Sequence, residues 1–116
     1  MRTALIGLAA LALTGCSATP DEIKAEGNVA TRTSTQVPSW AARCLIRNAE
    51  ARGGGLFGME SPIEGDGEEV VIRSWSTAMA PLAVARVMPA GNGARITLRT
   101  RKDMPREFAD ALLKGC

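Results

Sequence analysis

The sequence predicts an α+β domain: a helix, an antiparallel sheet of three to four strands, and a C-terminal helix. Three observations carry this. From Trp40 to Arg52, apolar residues recur at spacings of three and four. From Ala94 to Arg101, Ala94, Ile96, Leu98 and Thr100 alternate with Arg95, Thr97, Arg99 and Arg101. After Asp103-Met104-Pro105, Phe108, Ala111 and Leu112 form a second stripe with helical period.

Taken in order, the first helix follows Pro38, with Ser39 as its expected N-cap. Ala41, Cys44, Leu45, Asn48 and Ala49 share one stripe, while Arg43, Arg47 and Glu50 lie mostly opposite. Gly53 is the expected left-handed stop. Gly53-Gly54-Gly55-Leu56-Phe57-Gly58 has the spacing G-x-G-x-x-G. A dinucleotide fingerprint follows a strand and opens a helix. This one follows a helix, so it reads as a turn into a short strand near Leu56 to Met59.

Ser61 to Glu69 reads as an acidic loop carrying Glu64, Asp66, Glu68 and Glu69. It lacks the closing glutamate of a calcium loop and reads as solvated. Val70 to Trp75, β-branched and aromatic, is an expected strand, and Leu82 to Met88, following Pro81, is a second. Asn92-Gly93 signals a tight hairpin between the last two strands. A two-residue loop there pairs Gly91 with Ala94 and Val87 with Leu98. That register puts Ala85, Val87, Ile96 and Leu98 on one face and Arg86 with Thr97 and the arginines on the other. Pro105 is expected at the first position of the last helix, and Gly115 ends it.

Composition removes several functions. The chain has 116 residues and a formal net charge of +2, which makes no global case for nucleic acid. It has no histidine, the commonest general base and metal ligand. With no tyrosine and only two tryptophans and two phenylalanines, stacking surfaces are scarce. No metal, cofactor or catalytic residue is expected.

The N-terminus has its own organisation. Met1-Arg2 is a short positive start, and Ala4 to Leu13 is an apolar run too short to span a bilayer, which takes about 20 residues. Leu13-Thr14-Gly15-Cys16 stands where that run ends. This stretch resembles the signal peptide and lipobox of bacterial lipoproteins. The resemblance covers the first 16 or 17 residues and implies removal of residues 1–15 and lipidation of Cys16. It implies several acyl chains, which anchor stably where one anchors only marginally. By the same resemblance Ser17, standing where aspartate would favour the inner membrane, points to the outer membrane and a domain facing the periplasm. Residues 16–37 have no sustained apolar period; Asp21 to Glu26 has room for one helical turn, which Gly27-Asn28 stops, and the whole reads as a flexible tether averaging roughly 25 Å end to end. The folded domain is expected over 38–116.

If lipid takes Cys16, then Cys44 and Cys116 remain. An even remainder in an oxidising compartment predicts a disulfide between them. It would staple the first helix to the chain's last residue. Without histidine or a C-x-x-C pair, catalytic and metal roles for these thiols are disfavoured.

The expected binding surface is the wet face of the sheet, with Arg86, Arg95, Arg99 and Arg101, Arg73 nearby, and Lys102 and Arg106 extending it. Arginine forks suit phosphates and carboxylates. The partners this implies are the membrane through the anchor, and an envelope protein or an anionic envelope polymer. The sequence therefore points to a non-enzymatic binding or envelope-maintenance lipoprotein. A periplasmic inhibitor or exclusion factor is the alternative, and a hydrolase using the acidic loop ranks third. A basic sheet face favours the first, an apolar tip near Leu56-Phe57 the second, and a pocket with two carboxylates the third.

Overall fold

The structure, a computed structural model, describes residues 19–116. The signal segment, the lipobox and Cys16 lie outside the described residues. Three helices, α1 (Pro20–Glu26), α2 (Pro38–Arg52) and α3 (Arg106–Leu113), accompany five strands. These are β1 (Asn28–Ser34), β2 (Leu56–Ile63), β3 (Gly67–Ser74), β4 (Pro81–Ala90) and β5 (Gly93–Thr100). The sheet order is β1-β5-β4-β3-β2, and every neighbouring pair is antiparallel.

The α+β class, the C-terminal helix and the Cys44–Cys116 disulfide are as expected, and the two cysteines' Cα atoms stand 5.7 Å apart. The tether is corrected. Residues 20–34 are a helix and an edge strand, so the ordered part begins well before Pro38. Thr19 caps α1 by accepting the Glu22 N–H at 3.2 Å, and Pro20 opens the helix with its φ already set. Ile23 is the buried residue of α1. β1 follows at once, its β-branched Val29, Thr31 and Thr33 lying opposite Arg99, Thr97 and Arg95 of β5. At the far end of β1, Gly93 lets the two backbones meet. A Cβ there would collide with the Ser34 carbonyl.

The acidic loop is also corrected. Only Glu64-Gly65-Asp66 turns; the residues on either side pair as β2 and β3, Ile63 opposite Gly67. The acidic stretch thus lengthens β2 and β3, and it is β1 that brings the sheet to five strands rather than three to four. The β4–β5 hairpin keeps its expected face segregation but slides by two residues. Ala90 pairs with Gly93, Val87 with Ile96 and Ala85 with Leu98. The loop is Gly91-Asn92, with Gly91 at φ 57°, the first central position that a type II′ turn reserves for glycine. A shift of two preserves side-chain parity, which is why the faces survive it. α2 starts at Pro38 rather than after Ser39; the extended Val37 precedes it, as expected of a residue before proline. α3 starts at Arg106, one residue past the expected Pro105.

α2 and α3 pack together and cover one face of the sheet. The main core lies there: Val70, Ile72, Ala83, Ala85, Val87, Ile96 and Leu98 from the strands, under Leu45, Phe108 and Leu112. Each of the larger side chains contributes about 1.5–3 kcal/mol by leaving water. A register shift between Ile72 and Arg73 leaves Leu82 unpaired and turns it into this core. Asn48 explains its odd place on an apolar stripe. Its Nδ2 donates to the carbonyls of Leu112 at 2.7 Å and Lys114 at 2.8 Å, closing the C-terminal end of α3. Arg32 of β1 donates to the Leu113 carbonyl at 3.0 Å, and Ser34 Oγ donates to the carbonyl of Cys116. Helix, edge strand and disulfide thus converge on one corner.

Candidate functional site

The other face of the sheet is the wet one. α1 crosses it over β4 and β5. Ile23 and Val84, both buried but outside the main core, sit on this side. The rest of the face mixes arginines and threonines with apolar side chains such as Val71 and Val29. Val84 lies opposite Arg99, Arg86 opposite Thr97, and Met88 opposite Arg95. Across from β4, Glu69 of β3 faces Arg86.

A cleft of about 420 Å³ opens here, lined by Lys24, Val84, Arg86, Met88, Thr97 and Arg99. Arg86 and Arg99 are diagonal neighbours on adjacent strands, and such pairs have Cα atoms about 7–8 Å apart. Among the described residues neither has a carboxylate within salt-bridge reach. Lys24 arrives from α1. It reaches Glu69 at 3.3 Å and Asp21 at 3.4 Å. Partial burial disfavours its charge. The hydrogen bond and attraction of Glu69, then those of Asp21, outweigh this and raise its pKa above the ordinary lysine value.

The expected arginines therefore divide. Arg86 and Arg99 line the cleft, and Arg95 is exposed beside it. Arg101 does not join them as a free fork. Its Nε and Nη2 hold the two oxygens of Asp103 at 2.6 and 2.9 Å. That hydrogen bond lowers the Asp103 carboxyl below its ordinary pKa. Arg73 is spent on the Met79 carbonyl at 2.9 Å, and Arg106 lies on α3. Sequence reasoning missed Lys24 because it fell in the supposed tether. Its signal was present: Pro20-Asp21-Glu22-Ile23 behind Thr19 is a capped helix start.

A second feature is apolar. Phe57 and Trp75 stack with ring centroids 5.0 Å apart and planes 27° from parallel. Trp75 is 67% exposed, Met59 60% and Met79 36%. The loop beneath is held by Ser74 and Ser76, whose hydroxyls donate to the Gly54 carbonyl at 2.8 and 3.0 Å. Ala78 and Met79 adopt φ of 54° and 69°, uncommon for residues with side chains. The tip expected at Leu56-Phe57 is thus a Phe57–Trp75 platform. The glycine run lies after α2 and before β2, the reverse order of a dinucleotide site.

The four acids do not converge. Glu64 and Asp66 sit exposed in the β2–β3 turn. Glu68 and Glu69, adjacent on β3, point to opposite faces. Among the described residues no three His, Cys, Asp or Glu side chains cluster as metal ligands. No described helix is long and apolar enough to cross a membrane. The chain matches no family model, and comparison with curated proteins and with solved structures finds no match.

Proposed function

We propose that this chain is a lipid-anchored protein of the bacterial envelope whose domain binds an anionic group through the cleft of Lys24, Arg86 and Arg99. The observation that carries the proposal is the pair of guanidinium groups on one cleft, without a carboxylate partner among the described residues, beside the Thr97 hydroxyl. Their forks suit phosphate or carboxylate oxygens. The ligand is an anionic envelope polymer or an acidic patch on an envelope protein. The role is binding or envelope maintenance, with no chemistry on the bound group. Anchoring rests on the resemblance of Leu13-Thr14-Gly15-Cys16 to a lipobox.

Two experiments test the parts separately. Cys16→Ser is expected to release the protein from membranes while Cys44 and Cys116 still pair; a protein that stays membrane-bound rejects the anchor. Crosslinking in cells, followed by purification of the adducts, tests the cleft. Arg86→Glu with Arg99→Glu is expected to lose the main adducts of the native protein, and an unchanged set rejects the cleft. The Phe57–Trp75 platform favours a second reading, an inhibitor or exclusion factor that docks an apolar tip on another protein. In that case Trp75→Ala removes the adducts and the arginine changes do not.

A further inference from the structure

The sheet has two free edges, and they are not treated alike. β2 is guarded. It carries Pro62, which lacks an N–H to offer, and Glu60, which Arg43 of α2 approaches at 3.6 Å. β1 carries no proline, glycine or lysine in its seven residues, Asn28-Val29-Ala30-Thr31-Arg32-Thr33-Ser34. Val29 is 54% exposed, and Thr31 and Thr33 are exposed beside it. Among the described residues β1 pairs only with β5, so alternate N–H and C=O groups along its outer side face away from the sheet.

Beside this edge runs a groove of about 700 Å³. Its walls include Ala30 and Thr31 on the strand and Met104, Arg106, Ala109 and Asp110 at α3. Arg106 and Asp110 are one helical turn apart. Among the described residues neither has an ion-pair partner. An open strand edge calls for another strand.

We propose that β1 is a homodimer interface, occupied by the β1 strand of a second copy running antiparallel. A strand paired with itself across a two-fold axis keeps its faces aligned. Val29, Thr31 and Thr33 stay on one side of the extended sheet, and Ala30 and Arg32 on the other. The same axis reverses α3. The order Arg106 then Asp110 in one copy runs against Asp110 then Arg106 in the other, so the groove is self-complementary in charge. A foreign strand would have to bring both charges in that order, whereas a second copy has them by symmetry. The result is a ten-stranded sheet with the two basic clefts on one continuous face.

Sedimentation of the full protein in density-matched detergent tests this. The expected result is a dimer that dissociates on dilution. Thr31→Glu places like charges near the axis, opposite the neutral Thr97 within its own sheet. It is expected to weaken dimerisation at least tenfold while leaving circular dichroism unchanged, and Thr31→Val to keep the dimer. Arg106→Asp is expected to weaken it too, and adding Asp110→Arg to restore it, which a folding defect would not do. A protein monomeric at every concentration overturns the proposal. So does a dimer indifferent to both sets of changes. Were the native protein monomeric and an added extended peptide to protect the β1 amides from hydrogen exchange, the edge would belong to a foreign strand.

Discussion

Removing the Cys44–Cys116 bond is expected to cost about 4 kcal/mol of stability on the chain-entropy estimate for a loop of this length. The two cysteines are 72 positions apart, and the bond closes nearly the whole described domain behind β1. Against a typical total of about 5–15 kcal/mol, that is a large share for a chain with only four aromatic side chains. The loss should be paired with local loosening. The C-terminal carbonyls that Asn48, Arg32 and Ser34 hold all lie within four residues of Cys116 or on it. Denaturant unfolding of the native protein against Cys44→Ser/Cys116→Ser measures the effect. A melting temperature lower by roughly 15–30 °C corresponds to that free energy for a domain of this size. A change under about 1 kcal/mol would show that the contacts at this corner hold without the bond. Hydrogen exchange separates the parts: the amides of β1 and the end of α3 should lose protection before those of β4.

The sequence showed the helix face of this fold more clearly than its edges, and the reason is physical. α2, β4, β5 and α3 each bury one face against the main core, so their apolar residues repeat with the element's period. β1 buries almost nothing. Ala30 is its only aliphatic side chain against the core, and its other inward positions are Asn28, Arg32 and Ser34. Such a strand is held by its ladder to β5 and by the reach of Arg32 and Ser34 to the last residues, contacts that span some 80 positions. No local pattern encodes them. α1 failed for a related reason, since one buried isoleucine makes no period. The acidic stretch hid a hairpin because it does not alternate: Glu68 falls on the side of Val70 and Ile72, and Val71 on the other. Gly67-Glu68-Glu69-Val70-Val71-Ile72 in fact continues one strand, its glutamates half-covered by Lys24 and the neighbouring strands. The candidate cleft was legible in its strand arginines, which parity alone places together. Its lysine was not, because α1 reaches the face only through tertiary packing.

Phe108→Ala is expected to destabilise the domain by about 3–5 kcal/mol, the range for truncating a fully buried aromatic. Phe108 is one of only two phenylalanines in the chain, and it is 0% exposed. It stands in the first turn of α3, where the helix has no side-chain cap to hold it. The Arg52 guanidinium lies 5.2 Å from its ring centroid and covers it from α2. Truncation therefore removes both the filling of the core and the ring against which Arg52 rests. Phe108→Leu keeps most of the apolar volume and should cost less than half as much. Phe57 supplies the control, since it is only half-buried and leans on an exposed tryptophan. Phe57→Ala should cost far less, of the order of 1 kcal/mol. Urea midpoints of the three variants decide the matter. Similar losses for Phe57 and Phe108 would mean that the platform is part of the core rather than a displayed surface. A large loss for Phe108 alone would leave Phe57 and Trp75 free to be read as a docking tip, with α3 and its groove as the part of the fold that depends on a single ring.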